Sequence, residues 1–187
     1  LLIQMCKNEG AEVFAKIGSS NKEDLVKSLG ADHVIDYNKS DYVVQMASLL
    51  GKNRLDVSFN PIAGDTFKKD FNLLGSAGRL FLFGGAQMSS GKWGIFSTLN
   101  FIRKMGRPLP IGYMMRSKSV LGVNMLKIAD NKPEVLANCL SEVFDLYRAG
   151  KIKPQSGGVF SVVKFDDAFS TLASGKSTGK IGVKWED

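Results

Sequence analysis

A short turn near the start of the chain carries side chains that suit a phosphate group. Gly18, Ser19 and Ser20 follow an apolar segment that ends at Ile17, and Lys22 comes two residues later. Hydroxyl and backbone N–H groups donate hydrogen bonds to phosphate oxygens, and a lysine adds a positive charge. If this turn ends the second strand of a dinucleotide-binding sheet, it lies beside the adenosine ribose of the cofactor. The turn then predicts a ribose with a 2′-phosphate, as in NADPH.

The absence of an acidic residue from this turn supports the same prediction. A site for NAD places a carboxylate here, which accepts hydrogen bonds from the ribose hydroxyls. No Asp or Glu occurs between Val13 and Asn21. A second interpretation is structural: Ser19 or Ser20 caps the following helix, and Glu23 completes a capping box. The two interpretations are compatible, because the amino end of a helix also binds anions.

The composition is typical of a soluble globular protein. Of the 187 residues, 44% are hydrophobic and 23% are charged. The apolar runs are as short as Leu80–Phe83, so we expect no segment that spans a bilayer. We also expect no secretory signal and therefore a cytoplasmic protein. Cys6 and Cys139 are expected to be buried free thiols, and with a single histidine they are too few for a self-contained zinc site.

The net charge of +7 raises the question of nucleic-acid binding. Lysines and arginines are spread along the chain with acidic residues between them, and no basic block contains interleaved aromatic residues. A solvated basic surface that attracts an anionic cofactor explains the charge better. We therefore expect no nucleic-acid partner.

Strand and helix patterns alternate along the chain and predict a parallel sheet covered by helices on both faces. The predicted strands are Glu12–Ile17, His33–Asp36, Leu55–Phe59, Arg79–Phe83, Lys118–Val123, Gly158–Val163 and Lys180–Trp185. The predicted helices are a first one that closes at Gly10, then Lys22–Leu29, Ser40–Leu50, Asp65–Leu74 with Asp65 as its cap, Ile95–Lys104, Pro133–Ala149 and Phe165–Leu172. The stretch Ala86–Met114 is otherwise irregular and is expected to be largely a mobile loop. The fold class is therefore α/β, with a doubly wound parallel sheet.

The order of several motifs resembles one enzyme superfamily over almost the whole chain. The motifs are GSSNKEDLVKSLGADHVIDY, LDVSFNPIAGDTF, GRLFLFGG, GKIKP and STGKIGV. Together they resemble the medium-chain dehydrogenase/reductase superfamily. Within it they are most similar to the zinc-independent quinone oxidoreductases, a branch that includes zeta-crystallin and the vesicle amine transport protein homologues.

This resemblance implies a domain organisation. Residues 1–150 are expected to form an NADPH-binding Rossmann domain that begins after the family's first strand and its glycine-rich pyrophosphate turn. Residues 151–187 are expected to form a C-terminal segment, part of which returns to a catalytic domain located upstream. Because that domain carries the catalytic polar residues of the family, we name no catalytic residue in this chain.

The resemblance also assigns residues to the adenosine end of the cofactor. It implies that the 2′-phosphate is contacted by Gly18, Ser19, Ser20 and Lys22. It also implies that the Tyr37 hydroxyl donates a hydrogen bond to the same phosphate. Packing of Tyr37 against a helix is the alternative. A further cation, Lys176, lies near a position where some relatives place a second phosphate-facing charge.

A second group of residues is assigned by the resemblance to the nicotinamide end. Asn60 is expected where the cleft opens at the carboxyl ends of the strands, with a simple Asn-Pro turn as the alternative. Phe83, Gly84 and Gly85 are expected to pass near the nicotinamide, where glycine allows a close backbone approach. A buried strand end is the alternative for Phe83. Leu121 and Val123 are expected to line the nicotinamide pocket.

The activity implied for the intact protein is hydride transfer from NADPH to a quinone or an α,β-unsaturated carbonyl without a metal, with this chain inactive on its own. An enoyl reductase of the same superfamily remains open, as does a non-catalytic structural or vesicle-associated relative. A zinc alcohol dehydrogenase is disfavoured by the NADPH-type turn. The expected partners are the small-molecule acceptor and a second copy of the protein, which pairs through the strand near Lys118–Val123.

Overall fold

The computed structural model describes residues 1–84, 94–106, 109–175 and 177–185. The predicted site residue Gly85 and the predicted cation Lys176 lie outside the described residues. So does the first part of the loop predicted from Ala86 onwards.

Helices and short strands alternate along the described residues, as the sequence predicts. The strands are β1 Phe14–Ile17, β2 His33–Asp36, β3 Leu55–Asn60, β4 Leu74–Leu82, β5 Ser119–Gly122, β6 Ser156–Ser161 and β7 Lys180–Lys184. The helices are α1 Leu2–Asn8, α2 Glu23–Ser28, α3 Tyr42–Leu50, α4 Asp65–Leu73, α5 Gly94–Met105, α6 Pro110–Arg116, α7 Met125–Asn131, α8 Pro133–Arg148 and α9 Phe165–Ala173. Single 3₁₀ turns cover Ser20–Lys22 and Val162–Lys164.

Two short helices and one strand start differ from the sequence prediction. Helix α6 begins with Pro110, whose missing N–H costs nothing at a first helical position. Helix α7 is capped by Asn124, whose side-chain oxygen accepts from the Lys127 N–H at 3.2 Å. Strand β4 begins at Leu74, where the prediction continued a helix. The cap of α4 is Gly64 and not Asp65, which forms an ion pair with Lys104 at 2.8 Å.

All strand pairs in the described residues are parallel, which confirms the α/β class. The strands form three sheets, in the orders β1-β2, β3-β4-β5 and β6-β7. In the first sheet Ile17 lies opposite Asp36, so the carboxyl ends of β1 and β2 are adjacent. In the second sheet Asn60 lies opposite Leu82, and Leu82 lies opposite Gly122. Each of these two sheets therefore brings its strand ends together at one edge.

The chain divides into two compact units. The first contains Leu1–Asp36 and Cys139–Asp187, and the second contains Tyr37–Asn138. The predicted boundary between residues 150 and 151 stays a prediction. Residues 151–153 belong to the first unit because α1 binds their backbone. The Gln4 amide accepts from the Lys153 N–H at 2.6 Å, and the Asn8 amide donates to the Lys151 carbonyl at 2.9 Å.

Each unit has its own apolar core. In the first unit Ala15, Ile17, Ile35, Ile152 and Ala168 are buried. In the second unit the core is formed by Phe67, Phe71, Leu74 and Leu80. The described helices include none that is long and apolar enough to cross a membrane.

The two cysteines differ from the sequence expectation in one respect. Cys6 is partly buried, and this burial raises the pKa of its thiol. Cys139 is exposed, so the expectation that it is buried is wrong. It lies on α8, whose apolar residues Leu140, Phe144 and Tyr147 are also largely exposed. The apolar spacing of α8 predicts a helix with one apolar face, but a sequence pattern does not show what covers that face.

Candidate functional site

The predicted phosphate turn directly follows β1. Ser19 is extended, with φ −165° and ψ 132°, and its carbonyl accepts from the Lys22 N–H at 3.0 Å. Neither Ser19 nor Ser20 makes a side-chain capping bond to the 3₁₀ turn or to α2. The capping alternative is therefore wrong. Among the described residues, the Ser19 hydroxyl has no hydrogen-bond partner, so it is available to a ligand.

Ser20, unlike Ser19, has a side-chain hydrogen-bond partner, Asp36, which the sequence did not predict. Its hydroxyl donates to the Asp36 carboxylate, with 2.8 Å between Oγ and Oδ2. Asp36 is only 6% exposed and ends β2, opposite Ile17. The turn after β1 itself contains no acidic residue. The signal that could have found Asp36 is the parallel pairing itself, since the last residues of neighbouring parallel strands meet at one edge.

Lys22 links the turn to the loop after α9. Its ammonium donates to the Gly175 carbonyl at 2.9 Å. Gly175 has φ +67°, a left-handed conformation that glycine adopts without strain. Within the described residues Lys22 has no carboxylate at ion-pair distance. An ammonium has three donors, so Lys22 keeps donors for an anion.

Gly18 begins this turn, and Tyr37 directly follows β2. Gly18 is half-buried and directly follows β1. Tyr37 begins the second unit, and half of its side chain is exposed. Its assignment to the cofactor phosphate stays a prediction.

The predicted nicotinamide residues in the second unit meet at the carboxyl edge of its sheet. The Phe83 N–H donates to the Asn60 carbonyl at 3.3 Å, and the Val123 N–H donates to the Leu82 carbonyl at 2.8 Å. Phe83 is 44% exposed, so the alternative of a buried strand end is wrong. Leu121 is also exposed. This edge therefore presents apolar side chains beside strand-end backbone groups, an arrangement that suits a flat ring.

Asn60 has a structural role that its predicted site role did not include. It is 1% exposed, and its amide donates to Asp70 at 2.7 Å and to the Thr66 hydroxyl at 2.8 Å. Its side-chain oxygen accepts from the Ile62 and Ala63 N–H groups at 2.9 and 2.8 Å. Both donors and both acceptor positions of the amide are thus used within the protein. Asn60 can meet a cofactor only through its backbone.

Asp70, the partner of Asn60, lies in a buried polar network. It is 2% exposed and also accepts from the Tyr42 hydroxyl at 2.7 Å. Burial, and then this hydrogen bond, raise the pKa of Tyr42 well above its usual value. The tyrosine therefore stays a neutral donor, which satisfies the buried carboxylate.

Gly84 is required by the protein itself. A Cβ atom at this position would overlap the backbone carbonyl oxygen of Pro61, which cannot move without shifting the turn after β3. The close approach that was expected between Gly84 and a cofactor is therefore made, in this structure, to Pro61.

The family of the chain follows from comparison with known proteins. A family model described as "Zinc-binding dehydrogenase" matches residues 1–141, which is more than half of the chain. The chain belongs to the zinc-binding dehydrogenase family. It is thereby a member of the medium-chain dehydrogenase/reductase superfamily, and the resemblance seen in its motifs is confirmed.

One similar protein is the synaptic vesicle membrane protein VAT-1 homolog of Danio rerio. It is 28% identical over 179 residues, which cover 95% of this chain and 37% of that protein. Two crystal structures show the same fold. The CurK enoyl reductase has a TM-score of 0.73 and 22% identity, with 98% of this chain and 50% of that chain covered.

The second crystal structure is the quinone oxidoreductase of Thermus thermophilus, which was also solved in complex with NADPH. Its TM-score is 0.71 at 24% identity, with 97% of this chain and 52% of that chain covered. These likenesses confirm a Rossmann-type fold. The present chain spans about half the length of the CurK enoyl reductase and of the Thermus thermophilus quinone oxidoreductase.

The family description raises the question of zinc ligands. In the part of the chain that the structure describes, no three His, Cys, Asp or Glu side chains come together as a potential metal site. The one histidine, His33, instead lies 2.7 Å from Glu12 and stacks on Phe14. The described residues therefore do not fit a zinc ion.

Proposed function

We propose that this chain is the NADPH-binding part of an oxidoreductase that transfers hydride to a quinone or an α,β-unsaturated carbonyl without zinc. The observation that carries the proposal is the turn after β1. There, among the described residues, the Ser19 hydroxyl has no hydrogen-bond partner and Lys22 has no carboxylate at ion-pair distance. A hydroxyl and an ammonium in one turn suit the 2′-phosphate that distinguishes NADPH from NADH.

The edge formed by β3, β4 and β5 supports the nicotinamide end of the proposal. Phe83 and Leu121 present exposed apolar surface there, and Val123 is half-buried beside them. Apolar side chains bind a flat ring and exclude water from it. We propose that this edge holds the nicotinamide, with Gly84 keeping the backbone turn close to Pro61.

When bound, NADPH supplies the hydride. The residues of this chain would hold the adenosine phosphate and fix the face of the ring that is presented to the acceptor. The acceptor pocket would come from the upstream part of the intact protein, so we propose that the chain alone does not catalyse turnover. That pocket also decides between a quinone and an enone, and an enoyl reductase is the second candidate function.

The proposal also includes the partners of the protein and its location in the cell. Within the described residues β5 pairs only with β4, which leaves its other edge available for a second copy of the protein. We propose a homodimer through the strand near Lys118–Val123, a small-molecule acceptor as substrate, and a cytoplasmic location. A non-catalytic relative that keeps the fold would bind NADPH but would not oxidise it.

The test of this proposal compares cofactors in the full-length protein that contains this chain. Lys22→Ala should weaken binding of NADPH by roughly 1–3 kcal/mol, since a charge-assisted contact to the 2′-phosphate is lost. It should change binding of NADH by less than about 0.5 kcal/mol. Lys27→Ala is the matched control, because Lys27 lies in the adjacent helix α2 and pairs with Glu23 at 2.8 Å.

Two results would contradict the proposal. Equal losses of NADPH and NADH binding on Lys22→Ala would remove the phosphate role of this turn. NADPH that binds but is not oxidised with any quinone or enone acceptor would favour the non-catalytic alternative.

A further inference from the structure

We propose that Asp36 is a specificity-determining residue of the adenosine site. By accepting the hydrogen bond of the Ser20 hydroxyl, Asp36 makes Ser20 an acceptor for a ribose hydroxyl instead of a donor to a 2′-phosphate. The inference rests on the proposed cofactor site in the turn after β1. It changes the role of one residue there, because the resemblance assigned Ser20 to the phosphate.

The hydrogen bond between Ser20 and Asp36 has a fixed direction. A serine hydroxyl has one proton, and an ionised carboxylate can only accept. With 2.8 Å between Ser20 Oγ and Asp36 Oδ2, the serine is the donor. Its oxygen then offers only lone pairs to a ligand. Lone pairs suit the proton of a ribose hydroxyl and do not suit a phosphate oxygen.

The position of Asp36 makes this arrangement stable. The backbone of β2 places Asp36 opposite Ile17, the last residue of β1, so the carboxylate lies directly beside the start of the turn. Asp36 is buried, whereas Ser20 is exposed. A ligand therefore meets the serine first, with the carboxylate behind it.

The negative charge of Asp36 also disfavours a 2′-phosphate next to Ser20. A phosphate oxygen in contact with Ser20 would lie two hydrogen-bond lengths from the carboxylate, about 5–6 Å. Like charges at this separation repel, and the partly buried site weakens the screening by water. Ser20 and Asp36 thus favour an unphosphorylated ribose, whereas Ser19 and Lys22 favour a phosphorylated one. The wild-type site should prefer the 2′-phosphate only several-fold.

The experiment is a calorimetric titration of the chain with 2′,5′-ADP and with 5′-AMP, which differ by the 2′-phosphate. Asp36→Asn should strengthen binding of 2′,5′-ADP about tenfold and leave binding of 5′-AMP within about twofold, since an amide carries no charge and can donate to Ser20. The matched control is Asp32→Asn. Asp32 immediately precedes β2, at the opposite end of the strand from Asp36. It should leave the ratio of the two affinities unchanged.

A second variant keeps the test decisive if Asp36→Asn does not fold, which circular dichroism would show. Ser20→Ala should leave binding of 2′,5′-ADP within about twofold, because the Ser20 hydroxyl already donates its hydrogen bond to Asp36 and donates none to the phosphate. A tenfold loss of 2′,5′-ADP binding in Ser20→Ala would overturn the inference. An unchanged affinity ratio in folded Asp36→Asn would also overturn it.

The same titrations distinguish failure of the proposed cofactor site from failure of the proposed role of Asp36. If neither the wild-type chain nor Asp36→Asn binds either nucleotide, the proposed cofactor site is wrong and this inference fails with it. If the wild type prefers 2′,5′-ADP and Asp36→Asn does not alter that preference, only the role of Asp36 is refuted.

Discussion

Replacing Asn60 by alanine should destabilise the protein strongly without any ligand present. The substitution removes the amide donor to Asp70, at 2.7 Å, and leaves that 2% exposed carboxylate with fewer partners. It also removes the acceptor of the Ile62 and Ala63 N–H groups. A hydrogen bond to a charged group contributes about 1.5–3 kcal/mol, and a buried group left unsatisfied costs about 1–3 kcal/mol. We therefore expect a loss of about 3–5 kcal/mol, a large fraction of the usual 5–15 kcal/mol.

Urea unfolding followed by circular dichroism measures this loss. The matched control is Asn72→Ala, since Asn72 is an exposed residue on α4. The control should change the free energy of unfolding by less than about 0.5 kcal/mol. Asn60→Asp keeps an acceptor for the two N–H groups but places a second carboxylate beside Asp70. It should be as unstable at neutral pH and regain stability in acid, as one of the two carboxyl groups becomes protonated.

The reasoning would be refuted if Asn60→Ala lost no more stability than Asn72→Ala. Such a result would mean that the network around Asp70 does not stabilise the second unit. The Asn60 side chain would then be open to the direct ligand role that its position at the end of β3 suggests.

Two further predictions concern other parts of the chain. Hydrogen bonds from the Val13 N–H, at 2.7 Å, and then from Lys7 lower the pKa of Asp32. Asp32 thus stabilises the native state above its unfolded pKa near 3.8 and loses that contribution as the pH falls through the lower native value. Below about pH 4, the free energy of unfolding should therefore fall less steeply with decreasing pH in Asp32→Asn than in the wild type. An identical pH dependence of the two proteins would contradict this prediction. Gly84→Ala should lower the free energy of unfolding by about 1–3 kcal/mol, because the added Cβ overlaps the Pro61 backbone. The control is Gly112→Ala, which should be neutral or stabilising, because a Cβ there meets nothing within 4 Å. Equal melting temperatures for the two variants would argue against the overlap.

The elements that the sequence predicted best are those with a strong local pattern. Strand β2 and helix α8 follow their predicted ranges closely, because apolar residues at strand or helix spacing determine them. The turn after β1 was found for a similar reason, since its hydroxyls and lysine are neighbours in the sequence. Short helices such as α6 and α7 have few turns and weak patterns, and they were missed.

The contacts that decide the chemistry of the site were less predictable, because they join distant residues. Ser20 and Asp36 meet only through the pairing of β1 with β2. The full use of the Asn60 amide depends on Asp70, which projects from α4. The reason for Gly84 is the backbone of Pro61, which follows a different strand. Each of these facts needs the three-dimensional register, which composition and periodicity do not contain.

The most direct test of the central claim, recognition of an adenosine 2′-phosphate by the turn after β1, is a calorimetric titration of the wild-type chain with 2′,5′-ADP and with 5′-AMP. The predicted result is several-fold tighter binding of 2′,5′-ADP, which Lys22→Ala abolishes. Equal affinities of a folded wild-type chain for the two nucleotides would contradict the claim and would move the assignment to NADH or to an unspecific anion site.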